Sequence, residues 1–190
     1  QLALDYRQAG WQVWGCGRDG DRLLALGRHG ITPLQFDGRD AAAMAEVAAS
    51  LPPLDLLILN AGSCEYMDLA EGFDGELFAR VIETNLIATG QALAAFLPLL
   101  ERGARLAIVG SSVSWLPLPR AEAYGASKAA LDYLANTLRL DLKARGIAVT
   151  LIRPGFVQTP LTAKNDFPMP CLVTVEEASR AIMDGLTAGR

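Results

Sequence analysis

The chain has 190 residues, 51% hydrophobic and 20% charged, with 17 Lys and Arg against 21 Asp and Glu for a formal net charge of −4. That much apolar material supports one globular domain, and an acidic chain without clustered Lys or Arg lacks the footprint of a nucleic-acid binder. No apolar run reaches the roughly 20 residues that cross a bilayer, no basic and apolar leader opens the chain, and the scattered Cys16, Cys64 and Cys171 form neither a disulfide framework nor a metal site, so free thiols in a reducing cytoplasm are expected.

Residues 2–9 read as a helix that Gly10 stops by supplying a left-handed residue, and a strand follows over 11–16. Next come a helix over 21–26, a strand over 32–36 and a helix over 40–50, the last capped by Asp40 and ended by Pro52-Pro53. Leu54–Leu59 is a nearly continuous apolar run, the pattern of a central parallel strand covered on both faces and paired on both sides. From 74 to 100, Leu77, Phe78, Val81, Ile82 and Leu86 recur at three- and four-residue steps and predict one long helix. A strand over 105–109, a helix over 123–145 and a strand over Ala148–Ile152 complete the alternation, and no terminal strand or capping signal is read before Arg190. Strict alternation predicts an α/β fold, a doubly wound parallel sheet with helices on both faces in a single domain. Ligands of such sheets sit beyond the carboxyl ends of the strands, here after Cys16, Phe36, Leu59, Val109 and Ile152.

Two of those ends carry chemistry. Tyr124 and Lys128 stand four positions apart at the start of a helix, on one face, where an ammonium lowers the pKa of a phenol and readies it for proton transfer. Taken alone the pair also fits a solvated helix face. Ser111, 13 positions before Tyr124, follows a strand, and its hydroxyl is suited to stabilise charge developing on a substrate oxygen. It equally fits a turn cap.

Asn60-Ala61-Gly62 after a buried strand, Asn85 in the next helix, Ser111 before Tyr124 and Lys128, and Arg153-Pro154-Gly155-Phe156-Val157-Gln158-Thr159-Pro160 after the last strand stand in one order and spacing. In these motifs residues 54–160 resemble the short-chain dehydrogenase/reductase family. The resemblance implies a Rossmann-like sheet that binds a nicotinamide dinucleotide and a Ser-Tyr-Lys-Asn tetrad. Tyr124 would be the general acid in carbonyl reduction and the base in alcohol oxidation. Lys128 would lower the Tyr124 pKa and hold the nicotinamide ribose, Ser111 would hold the substrate oxygen, and Asn85 would organise a water-mediated proton path to Lys128. Ser112 competes with Ser111 only if the loop over 115–119 is one residue shorter than usual.

For the cofactor, the resemblance assigns Asn60, Ala61 and Gly62 to close backbone approach, Pro154 and Gly155 to the nicotinamide, and Val157 and Thr159 to the carboxamide and nearby phosphate. Asp37 resembles the adenine-binding acid of the family and also fits a turn residue. After the first strand, Gly17 occupies the acidic position and Arg18 follows it, which points to NADP rather than NAD, with Asp19 beside it. The family's opening strand and Gly-rich phosphate turn are not found, so residues 1–190 read as its dinucleotide-binding domain without the first strand and the C-terminal end.

The expected activity is NADP-dependent interconversion of a carbonyl and a secondary alcohol. The alternatives are a non-catalytic dinucleotide-binding sensor or scaffold and an isomerase or dehydratase on the same frame. The resemblance places residues 161–173 over the substrate, where Pro168, Met169 and Pro170 suggest a mobile, apolar lid with Trp115 and Leu116 lining the same pocket, so the substrate would be a small carbonyl or alcohol with hydrophobic parts. The two long helices, with Tyr133 and Leu134, suggest a homodimer or homotetramer. No nucleic-acid or membrane partner is expected. His29 reads as a surface residue and Cys64 as a small buried hydrophobe.

Overall fold

Helices and strands alternate through residues 1–189, which the computed structural model describes. Helix α1 (Leu2–Gln8) is stopped at Gly10, whose φ of 91 no L side chain adopts readily. Strand β1 (Trp14–Gly17) leads into α2 (Gly20–Gly27), where the Asp19 carboxylate accepts from the Arg22 amide at 3.1 Å. Strand β2 (Thr32–Gln35) leads into α3 (Ala41–Ala49), where Asp40 caps the Ala43 amide at 3.0 Å. Then come β3 (Leu54–Leu59), α4 (Gly75–Ile82), α5 (Ala88–Phe96), β4 (Leu100–Val109), α6 (Glu122–Asp141), β5 (Ala148–Ile152) and α7 (Val175–Thr187).

All strand pairs are parallel, as the alternation requires, but they form two sheets: β1 with β2, and β3 with β4 and β5. The second neighbour expected for β3 is not among the described residues. Only β4 pairs with it, and its apolar residues are half-buried because nothing hydrogen-bonds its second edge among the described residues. The doubly covered strand is β4. Leu106 and Ile108 pack on one face with Leu131, Ala135 and Leu142, while Ala107 packs on the other with Tyr6 and Leu186, and all three β4 residues have 0% exposure. Each large apolar side chain buried in this way contributes about 1.5–3 kcal/mol.

Two further expectations change. The helix predicted over 74–100 is α4 and α5 joined by a π-helical segment at Glu83–Ile87, ending before β4 begins at Leu100. Helix α7 was not anticipated, although Thr174 and Glu177 form a reciprocal capping box at its start. It packs Ile182, Met183 and Leu186 against α1 and the sheet. Among the described residues no helix is long and apolar enough to cross a membrane.

Candidate active site

The π-helical segment between α4 and α5 turns Asn85 inward, where it is fully buried. Such segments widen the helix by one residue per turn and concentrate at functional sites. Asn85 Oδ1 accepts from the Ser63 amide at 2.7 Å, and its Nδ2 donates to the Ser63 carbonyl and to Ser127 Oγ, each at 2.9 Å. Asn85 therefore clamps the turn after β3 to α6. Ser127, also fully buried, passes the link on by donating to the Tyr124 carbonyl at 2.7 Å.

One turn along α6, Lys128 is 4% exposed and donates from Nζ to the Val109 carbonyl at the end of β4, at 2.8 Å. Burial disfavours its charged form and lowers its pKa to about 8, with the nearby Cys64 thiol pulling the other way. The ammonium stands 5.8 Å from the centre of the Tyr124 ring. The expected depression of the phenol pKa is not found. Burial pushes Tyr124 upward, and hydrogen bonding with the Ser111 side chain offsets this only in part. The physical reason is that burial, the largest influence on the phenol, disfavours its charged form, while Lys128 Nζ is engaged by the Val109 carbonyl.

Ser111 follows β4, is 8% exposed and bonds the Tyr124 side chain, whereas Ser112 is exposed. The turn-cap role is also real, since Ser111 Oγ accepts from the Val113 amide at 3.3 Å. The loops after β4 and β5 are tied together. The Ser112 amide donates to the Pro154 carbonyl at 3.0 Å, and Asp132 Oδ2 accepts from Ser114 Oγ at 2.9 Å and Arg153 Nε at 2.8 Å. Arg153 also stacks 4.4 Å from the ring centre of Trp115, which with Leu116 is exposed.

Asn60, Ala61 and Gly62 are exposed beside this cluster. A Cβ at Gly62 would stand 3.3 Å from Asn85 Oδ1 and 3.5 Å from Lys128 Nζ, so glycine keeps open a cradle next to the buried ammonium. Lys128 uses one of its three donors on Val109, leaving others for ribose hydroxyls, and the residues present thus fit a nicotinamide dinucleotide. Gly155 is likewise open, with nothing within 4 Å of its would-be Cβ. Val157 and Thr159 are drawn into a separate turn, where Thr162 Oγ1 donates to the Val157 carbonyl at 2.6 Å and lies 3.2 Å from Thr159 Oγ1.

Beyond β1 and β2 the groups are on the surface. Asp37 is bound by Arg39 through Nη2 at 2.7 Å and Nε at 3.1 Å, and Arg18 Nη1 stands 3.8 Å away. The Arg39 hydrogen bonds hold the Asp37 carboxyl well below the usual carboxylate range. Arg39 was not singled out from the sequence. Its position two residues after Asp37 was the available signal.

The opposite side of Tyr124 holds residues that the motifs also did not name. Cys64 is half-buried, its thiol pushed up by burial and drawn down by Tyr66 and Lys128. Tyr66 donates to Asn165 Oδ1 at 3.0 Å and packs edge-on against Phe167, which meets Phe156. Exposed His29 takes no part.

A family model described as short chain dehydrogenase matches residues 1–168. An uncharacterized oxidoreductase of Myxococcus xanthus is 34% identical over 200 residues, covering 99% of this chain and 79% of its own length. An NADPH-dependent 1-acyldihydroxyacetone phosphate reductase of Schizosaccharomyces pombe is 35% identical over 172 residues, covering 86% of this chain and 57% of its own length. The chain thus spans little more than half of the second relative. Among solved structures, the closed form of serine dehydrogenase complexed with NADP+ superimposes with a TM-score of 0.84 at 27% identity, over 98% of this chain and 83% of that one. With the family's model matched over most of the chain and its fold reproduced, this chain belongs to the short-chain dehydrogenase/reductase family of oxidoreductases.

Proposed function

We propose that this protein reduces a carbonyl to a secondary alcohol, and runs the reverse oxidation, with NADP as hydride carrier and Tyr124 as proton donor and acceptor. The observation that carries this reading is the convergence of four groups: Asn85 is bonded through Ser127 to the Tyr124 backbone, the Tyr124 phenol is bonded with Ser111, and the buried Lys128 ammonium stands 5.8 Å from the Tyr124 ring. The bound dinucleotide supplies the hydride, and the chain's own groups handle the oxygen. Burial keeps the Tyr124 phenol protonated, the form that can donate to an oxygen gaining negative charge. Ser111, bonded to that phenol, supplies a second donor to the same oxygen. Lys128 provides positive charge beside the ring and donors for the ribose, while Asn85 holds the turn at Gly62 and Ser63 against α6 and supports a proton path to Lys128. An intact tetrad favours catalysis over a sensor or scaffold role.

The preference for NADP is supported by Arg18 after β1, with no carboxylate at Gly17, and by the NADPH and NADP+ in the names of two similar proteins. Asn60, Ala61, Gly62, Pro154 and Gly155 would line the nicotinamide side, with Val157 and Thr159 beyond them. Asp37 would reach adenine only by sharing its carboxylate with Arg39. The exposed Ile87 and, on α6, Tyr133 and Leu140 support a homo-oligomer. The test is Tyr124→Phe. NADPH consumption with a ketone and aldehyde panel should fall ~100-fold or more, with NADPH still bound in a fluorescence titration. Retained turnover contradicts the reading, and equal or tighter binding of NADH than of NADPH contradicts the cofactor assignment.

A further inference from the structure

Arg120 stands four residues before Tyr124, immediately ahead of α6, so the frame that fixes Tyr124 also fixes it. Its φ of 67 lies in the left-handed region that L side chains rarely adopt, and its carbonyl accepts from the Met67 amide at 2.8 Å. Its guanidinium lies 5.6 Å from the ring centre of Tyr66, and the Tyr66 hydroxyl is within electrostatic reach of both Tyr124 and Arg120. The three groups thus share one mouth of the site. Phe167, and Phe156 behind it, make the remaining wall aromatic.

The partner of this cation is replaceable. Asp166 is 69% exposed, and both its oxygens meet a single nitrogen of Arg120, at 3.2 and 3.3 Å. An exposed pair of this kind contributes little, and the other guanidinium donors stay available for a planar or tetrahedral anion. Asp166 belongs to the segment 161–173, which the family resemblance places over the substrate.

We propose that Arg120 binds an acidic group of the substrate, a carboxylate, sulfonate or phosphate separate from the reacting carbonyl, and that Asp166 occupies its place in the absence of substrate. The inference rests on carbonyl reduction at Tyr124. It narrows the substrate from a molecule with hydrophobic parts to one that also carries a negative charge a short chain away from the reacting carbon.

The test compares a ketone ending in a carboxylate, 3-oxobutanoate, with its methyl ester, using the full chain and NADPH. Wild type should favour the acid by ~10-fold or more in kcat/KM. Arg120→Gly, which removes the guanidinium and suits the positive φ, should raise KM for the acid ~10- to 100-fold more than for the ester, and Arg120→Lys should recover part of the difference. Asp166→Asn should lower KM for the acid. Equal use of acid and ester by wild type, or equal losses on both in Arg120→Gly, overturns the proposal. A second readout needs no turnover: calorimetric titration of 3-hydroxybutanoate and its methyl ester into protein with NADPH. Binding of the acid alone, lost in Arg120→Gly, upholds the anion site even if neither ketone is reduced, an outcome that would instead overturn the reductase reading. No preference for the acid in this titration overturns the anion site whatever the turnover.

Discussion

In the three-stranded sheet, β4 lies under helices on both faces and Leu106, Ala107 and Ile108 touch no solvent, whereas in the two-stranded sheet no residue of β1 or β2 is buried. The ionisable groups follow the same division. Lys128, at the end of the covered sheet, is desolvated and its pKa brought to about 8, while Arg18, Asp37 and Arg39, at the end of the other, are held by surface ion pairs. Under the proposed function, the difference assigns two tasks to two parts of the fold. Proton transfer needs groups fixed in a low dielectric, while discrimination of an adenosine phosphate needs cations that water and ligand can reach.

Substitutions can break or sharpen this contrast. The largest expected effect is at Asn85, whose amide bonds the Ser63 backbone twice and Ser127 once. Asn85→Ala leaves buried groups unpaired, and calorimetry should record a fall in Tm of about 6–10 °C. A fall under ~2 °C would mean that this clamp is loose. Lys128→Met should act in the opposite direction. Its pKa is lowered from 10.5 to about 8, so below pH 8 the folded state holds a charge it disfavours, and between pH 8 and 10.5 the unfolded chain binds the proton more strongly. Stability from this group therefore rises with pH across that window. Lys128→Met should raise Tm by ~2–4 °C at pH 7, with less gain at pH 9.5, while abolishing turnover. The smallest effect belongs to the surface half. Asp37→Ala removes the ion pairs to Arg39 and Arg18, yet thermal melts should move by less than ~2 °C because solvent screens them.

Much of this was legible in the residues. The alternation of periods placed the strands, and the Tyr124 and Lys128 spacing placed two reacting groups on one face of α6, because such signals depend only on neighbours in the chain. What depends on distant pairing was not legible. Leu54–Leu59 announces a strand, but an apolar run does not say that β4, more than 40 residues on, is the strand that pairs with it. The apolar period from Leu77 to Leu86 runs through the π-helical segment without a break, and the one sign was a polar Asn85 at a core position. In α7 the signal was present, Thr174 and Glu177 three apart before Ala178, Ile182 and Leu186. Arg120 and Asp166 lie 46 residues apart and meet only once the loops are folded. The sign of the Tyr124 shift also required the structure, since burial outweighs a charge whose position the spacing leaves open.

The three-stranded sheet is a covered core whose protection does not depend on the exposed strands β1 and β2. Amide hydrogen exchange tests it without a substrate. The amides of β4, Leu106 to Ile108, should exchange only through global unfolding, and those of β1 and β2, such as Cys16 and Leu34, at least ~100-fold faster. Equal protection in the two sheets would contradict the account.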